Sequence, residues 1–194
     1  KLVSLLGRSD SREEFISNNL KANISTKLFY REDGPTIVKK RYVSQYTNQK
    51  LFEVNYINDS YIEGEKEVEV LDYLKSEIPK YDIVLVSDFG HGFLTSKIIA
   101  AIEDKAKKFA INTQTNAANA GYNMITRYCS PYFVCLDESE LRLAAQDKHA
   151  NIEDVALNIR KQVGAQNLIV TLGKKGSIGI NKKRVHVVEV PEAD

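Results

Sequence analysis

Short apolar runs alternate along this chain with stretches of helical spacing, the pattern produced by a layered α/β sheet with parallel strands. Leu2–Leu6 reads as a strand. Asp10-Ser11-Arg12-Glu13-Glu14 reads as a cap followed by first-turn acids, which predicts a helix to about Leu20. Glu65–Glu77 has the spacing of a helix ended by Pro79, and Ile83–Ser87 that of a buried strand. Thr95–Lys108 follows as a helix, with Ile98, Ile99, Ile102 and Ala106 on one stripe. Phe109–Thr113 and Phe133–Leu136 are strands, and Asp137–Asp147 and Ile152–Val163 are helices. Asn151 caps the second of these helices and Gly164 stops it. Asn167–Leu172 is a strand, and two more are expected at about 177–181 and 184–190.

Between Thr26 and Ile57 the period changes to two. Ile37, Lys39, Arg41 and Val43 fall on one side of an extended chain, and Val38, Lys40 and Tyr42 on the other. Alternation of this kind predicts antiparallel strands with a solvated or ligand-facing side, at about 26–30, 36–44 and 50–56. The expected fold is therefore α/β, a mostly parallel sheet flanked by helices, with a small antiparallel β lid inserted at 26–57. No internal repeat or low-complexity tract interrupts it.

Composition narrows the function classes. The chain has 194 residues, of which 27 are Lys or Arg and 26 are Asp or Glu, for a formal charge of +1. That balance argues against a nucleic-acid-binding tail or a membrane-steering patch. No apolar run approaches the roughly 18 residues that span a bilayer, and the N-terminus lacks the apolar region of a secretory signal. Cys129 and Cys135 form neither a disulfide framework nor a zinc pattern, so an intracellular, reduced protein is expected. The one methionine, Met124, lies deep inside; the chain enters an apolar run directly after Lys1 and stops at Pro191-Glu192-Ala193-Asp194 behind a strand-like segment. Residues 1–194 thus read as a single incomplete domain, a slice of a longer protein.

In open α/β sheets ligands bind beyond the carboxyl ends of the strands, and four such loops carry chemistry. Ser87-Asp88-Phe89-Gly90-His91-Gly92 places a carboxylate at a strand end, followed by glycines that allow close backbone approach. Asp88 either orients a hydroxyl or metal-bound water, or satisfies the N–H groups of a tight turn. Asn112-Thr113-Gln114-Thr115-Asn116 offers neutral donors and acceptors suited to ligand positioning, or to stitching a loop with side-chain turns. Asp137 and Glu140 are three apart at a helix start, where they either hold a hydrated Mg²⁺ through its waters or form a plain N-cap with first-turn acids. Thr171-Leu172-Gly173-Lys174-Lys175-Gly176 is a phosphate-contacting turn or a hairpin turn with solvated lysines. It lacks the Lys-Ser/Thr ending and the helix of a P-loop. Lys39 and Arg41 add a cationic strand face that either grips a phosphate or sugar or is simply solvated.

Taken in order, these motifs resemble the ribokinase-like (PfkB) family of carbohydrate kinases. Pro35–Val43 with Gln49–Val54 resembles the lid strands of its heptose-phosphate kinase branch, and Ser87-Asp88-Phe89-Gly90-His91-Gly92 is similar to that branch's Ser-Asp-Tyr-x-Lys-Gly turn. Asp137-x-x-Glu140 falls where the family has Asn-x-x-Glu, and Thr171-x-Gly173-x-x-Gly176 matches its nucleotide-side turn. The resemblance implies a ribokinase-like fold and transfer of the ATP γ-phosphoryl group to a sugar or sugar-phosphate hydroxyl. It implies Asn112, Asp137, Thr171, Gly173 and Gly176 on the nucleotide, Lys39, Arg41 and Asp88 on the acceptor, and Asp137 and Glu140 on Mg²⁺. The family's catalytic Asp, in a Gly-Ala-Gly-Asp motif, is expected beyond Asp194, so no catalytic residue is assigned within the slice. A cytoplasmic protein, a homodimer built through the lid and a fused nucleotidyltransferase domain are further implications.

The chain departs from the family pattern at three places. Asp137 replaces the usual Asn, Asn112-Thr113-Gln114 stands where many relatives have Asp-Pro-Lys, and His91 takes the place of the turn lysine. The departures at Asn112, Gln114 and Asp137 favour a second reading, a non-catalytic sugar- or nucleotide-binding module on the same fold. A dinucleotide-dependent oxidoreductase is disfavoured, since no Gly-x-Gly-x-x-Gly follows a strand.

Overall fold

Along most strands of the principal sheet buried residues alternate with more exposed ones, so each of these strands commits one face to the interior. Val86, Ile111, Val134, Leu136, Leu168, Val170, Ile178 and Ile180 form that inner row. The computed structural model describes residues 1–116, 119–181 and 184–189. The chain divides into two compact units, Lys1–Val70 with His91–Thr95, and Leu71–Gly90 with Ser96–Asp194.

In the first unit β1 (Leu2–Gly7) leads through the short helix α1 (Glu13–Asn19) to β2 (Thr26–Arg31), which runs parallel to β1. This corrects the sequence expectation, in which 26–30 was the first antiparallel strand of the lid. The antiparallel element is a two-stranded hairpin, β3 (Val38–Val43) with β4 (Lys50–Tyr56). Alternation alone could not separate the cases: β2 buries Phe29 and Arg31, and both pairing modes show a period of two along a strand. Leu6, Phe29 and Ile62 form the apolar centre of this unit, with Phe29 against Phe93 at 6.4 Å between rings.

A buried arginine organises the loops around that centre. Arg31, 6% exposed, donates from Nε and Nη2 to the two carboxylate oxygens of Asp33 (2.7 and 2.9 Å), from Nη1 to the Asn58 carbonyl and from Nη2 to the Ser60 carbonyl. Gly92 closes the same corner: its φ is +81°, and a Cβ there would lie 2.0 Å from the Ser60 carbonyl oxygen. Only glycine fits such a backbone approach.

The second unit carries a six-stranded sheet ordered β10-β9-β8-β7-β6-β5. Its strands are β5 (Val84–Asp88), β6 (Phe109–Thr113), β7 (Phe133–Asp137), β8 (Asn167–Thr171), β9 (Ser177–Asn181) and β10 (Val185–Val188). β5 to β8 are mutually parallel, while β9 and β10 return antiparallel. Helix α2 (Gly64–Glu77) precedes the sheet, α3 (Ser96–Lys105) links β5 to β6, and α4 (Glu138–Ala145) and α5 (Ile152–Gln162) link β7 to β8. Asn151 Oδ1 caps α5 by accepting from the amides of Glu153 and Asp154, and Gly164 leaves it at φ +68°, as the sequence predicts. β5 is the sheet's edge strand rather than a strand buried on both faces, and Leu85 is 78% exposed. Val190, the last residue of the strand expected at 184–190, lies outside the described residues.

The Arg31–Asp33 pair predicts an acid-dependent stability term. The guanidinium hydrogen bonds hold the Asp33 carboxyl at about 2, below its ordinary 3.8. The ionised form is thus favoured in the folded chain. Its contribution is complete above about pH 4 and is lost as the pH falls through about 2. Because Asp33 is largely exposed, the term is small. Asp33→Asn is expected to lower the thermal midpoint at pH 6 and to match the parent protein near pH 2, measured by circular dichroism melts across that range.

Candidate functional site

The parallel register sets four loop exits along one edge. Asp88 pairs with Thr113 across β5 and β6, Ile111 with Val134 across β6 and β7, and Asp137 with Thr171 across β7 and β8. All four strands therefore end on the same side of the sheet, where an α/β fold collects its ligand contacts. The turns around Asp88, Asn112, Asp137 and Thr171 share that rim.

Asp88 is buried, 3% exposed, and three donors meet its carboxylate. The Gly90 amide donates to Oδ1 at 2.9 Å; the Tyr128 hydroxyl and Arg127 Nη1 donate to Oδ2 at 2.8 and 3.2 Å. The tight-turn reading of Asp88 is thus the one its geometry displays. Burial and the neighbouring Asp88 charge push the Tyr128 phenol far above its ordinary pKa, so it remains a donor. Gly90, at φ +66°, brings the turn within 2.5 Å (from a would-be Cβ) of Asn119 Nδ2, which leaves no room for a side chain.

Asn112, paired with Ser87 in β5, reaches across to β7 beyond the last β6–β7 pair. Its Nδ2 donates to the Cys135 carbonyl at 2.9 Å, and its Oδ1 accepts from Gln114 Nε2 at 2.8 Å. Asn112 and Gln114 are thus two amides bonded to each other.

Asp137 and Glu140 form a full capping box. Asp137 Oδ1 accepts from the Glu140 amide at 2.8 Å, and Glu140 Oε2 accepts from the Asp137 amide at 2.9 Å. Glu140 Oε1 reaches further and accepts from the Thr115 amide at 3.0 Å, which ties the exit of β6 to the start of α4. Glu140 is 6% exposed; burial raises its pKa, and the two amides pull it back. Among the described residues no group of three or more His, Cys, Asp or Glu is placed to hold a metal ion. Each Glu140 oxygen accepts one backbone amide and, as a carboxylate oxygen, has capacity for a second contact. Asp137 is exposed and has a second oxygen, which suits contact with a hydrated ion through water.

After β8, Thr171 Oγ1 lies 3.5 Å from the Leu136 carbonyl, and Gly173–Lys175 make one 3-10 turn. Gly173 and Gly176 have φ of +59° and +98°; open space lies beside Gly173, whereas a Cβ on Gly176 would sit 1.9 Å from the Val188 carbonyl oxygen. Gly176 therefore packs the turn against β10, and Gly173 is the residue with room for a ligand. On the hairpin of the first unit, Lys39 stands opposite Asn55 and Arg41 opposite Glu53. Arg41 Nε reaches Glu53 Oε2 at 2.7 Å and Lys50 Nζ reaches it at 3.2 Å, and these bonds hold the Glu53 carboxyl at about 2. Lys40 shares the opposite face with Tyr42 and Phe52, whose rings stack at 4.4 Å.

Sequence reasoning missed Arg127, Tyr128, Asn119 and Asn123. Asn119 and Asn123 are buried and donate to the backbone carbonyls of Phe89, Gln114 and Asp88. The density of asparagine between 112 and 123 was the available signal, since a buried amide needs partners.

Parallel strands, one crowded C-terminal rim and the glycine turn after β8 define a ribokinase-like α/β fold. Phosphofructokinase-2 from Escherichia coli, in its tetrameric inhibited form, superposes with a TM-score of 0.74 at 12% identity, covering 99% of this chain and 62% of that one. Ribokinase from Giardia lamblia gives 0.70 at 15% identity, covering 97% and 58%. Residues 1–194 match the pfkB family of carbohydrate kinases, and the chain belongs to that family. Among curated relatives, the bifunctional protein HldE of Trichlorobacter lovleyi is 23% identical over 90% of this chain and 35% of its own. HldE of Rhodopseudomonas palustris is 25% identical over 97% of this chain and 39% of its own. The chain thus spans little more than a third of the length of these relatives.

The Glu140 clamp generates a stability prediction. Glu140→Gln replaces one acceptor with a donor that faces a backbone amide, and is expected to cost about 1–3 kcal/mol. Denaturant unfolding compared with the parent protein checks it.

Proposed function

We propose that this chain carries the nucleotide side and the lid hairpin of an ATP-dependent sugar kinase. The reaction is transfer of the ATP γ-phosphoryl group to a hydroxyl of a sugar or sugar phosphate, with a heptose phosphate as the preferred acceptor class. The observation that supports it best is the alignment of four polar exit turns on one rim of a parallel sheet, in a chain of the pfkB family. Phosphoryl transfer asks chiefly for positioning and charge neutralisation, and this rim offers rigid positioning.

In this reading Thr171 and Gly173 line the nucleotide, and Gly176 keeps their turn pressed on β10. Asn112 shapes the floor between β6 and β7. Asp137 and Glu140 meet the hydrated Mg²⁺ through its waters, and their capping box fixes both carboxylates at the head of α4. When bound, Mg²⁺ supplies the neutralisation of phosphate charge. Lys39 and Arg41 give the anionic part of the acceptor a face where, with Lys50, three cations outnumber Glu53. Asp88 serves the acceptor by fixing the β5 turn. The catalytic base lies outside these residues. We place the protein in the cytoplasm, with the apolar face of the hairpin (Tyr42, Phe52, Tyr56) as its homodimer contact and a nucleotidyltransferase domain as a fusion partner.

The hydrogen-bonded Asn112–Gln114 pair, neutral where relatives carry charge, favours a second reading as a non-catalytic binding module. ATP consumption by the full-length protein across sugars and sugar phosphates separates the two. The kinase reading expects turnover with at least one acceptor. Arg41→Ala is expected to raise the acceptor KM about tenfold, the loss of one charge-assisted hydrogen bond, with the ATP KM unchanged. ATP binding without turnover on any acceptor supports the module instead.

A further inference from the structure

The connection from β6 to β7, residues 114–132, contains one 3-10 turn, Ile125–Arg127, and no α-helix among its described residues. A parallel crossover normally packs a helix on the sheet. Here polar side chains hold the segment instead, and their targets are concentrated on two residues of the β5 turn, Asp88 and Phe89. Asn123 Nδ2 donates to the Asp88 carbonyl at 2.9 Å, and Asn119 Nδ2 and Asn116 Nδ2 donate to the Phe89 carbonyl at 2.8 and 3.2 Å. The Gln114 amide also donates to the Asp88 carbonyl, at 2.7 Å. Arg127 Nη1 sits at the centre: it donates to Asn123 Oδ1 at 2.6 Å and to Asp88 Oδ2 at 3.2 Å, and so couples the amide that grips the turn to the carboxylate that shapes it.

We infer that Arg127 is a positioning residue, which latches the β6–β7 connection to the Asp88–Gly90 turn and thereby fixes that turn for the acceptor. The inference rests on the kinase reading for its acceptor side, and on geometry alone for the latch. Buried Asp88 receives side-chain hydrogen bonds from the guanidinium and the Tyr128 hydroxyl, and a buried carboxylate stripped of such partners is destabilised. When Arg127 is removed, Asn123 loses its orienting donor and Asp88 loses its cation, so the turn loosens while the strands behind it stay paired. A general packing role would instead weaken the whole unit.

Hydrogen exchange on the full-length protein reads the latch directly, because the Gly90 amide bonds Asp88 Oδ1 and the Gln114 amide bonds the Asp88 carbonyl. In Arg127→Met these two amides are expected to exchange about tenfold faster, with the Val163 amide at the end of α5 unchanged. Steady-state kinetics of the same variant are expected to show a raised acceptor KM with the ATP KM within about twofold. Arg127→Lys restores part of both effects. Asn123→Ala repeats the exchange result should Arg127→Met fail to fold. Unchanged exchange at Gly90 and Gln114, an equal rise at Val163, or parallel movement of both KM values overturns the inference. A parent protein that turns over no acceptor removes the kinase reading, and the exchange arm still decides the latch.

Discussion

The rim of the principal sheet depends on a charge kept away from water. Asp88 ends β5 with its carboxylate buried, a placement that in isolation costs several kcal/mol. Arg127, Tyr128 and the Gly90 amide offset that cost by hydrogen-bonding both carboxylate oxygens. Since the Asp88 carbonyl also receives the Gln114 amide and Asn123, one residue joins the end of β5, the start of the β6 loop and the 3-10 turn before β7. The neighbouring turns are built on the order this imposes.

A second buried carboxylate does comparable work one strand along. Glu140 binds two backbone amides, one from its own helix cap and one from the β6 exit loop, so loops that leave different strands are fixed to each other. Such preorganisation suits a reaction in which the protein supplies placement and field more than covalent chemistry. The hairpin is built on another logic. Its two strands set Lys39 and Arg41 with Glu53 on one face and stacked aromatics with Lys40 on the other, which suits an element with two different surfaces to serve.

Much of the principal sheet was legible because its signals are local. Apolar runs of strand length, the Asn151 cap and the Gly164 stop depend on a few adjacent residues, and each falls where the sequence places it. The partner of β2 was not legible, because alternation fixes which face is buried but not which strand lies alongside. β5 read as a buried strand because Ile83–Val86 is uniformly apolar, a run that does not reveal an edge. The letters Asp137-x-x-Glu140 announced a capping box, but nothing in them told that Glu140 would also reach Thr115. The 114–128 segment was the least readable, since it has no hydrophobic period and its order comes from contacts some 30 to 40 residues away in sequence, between Asp88–Phe89 and Asn119–Tyr128. Its asparagines looked like loop composition and are the fasteners.

A crossover fastened by amide nitrogens carries a chemical clock that a helical one would not. Spontaneous deamidation turns asparagine into an acid, and amide-bearing side chains are among the thermolabile ones. At Asn123 the change would remove the donor to the Asp88 carbonyl and set a new negative charge close to the Asp88 carboxylate. Such a change would act on the rim and leave the strand pairing behind it untouched.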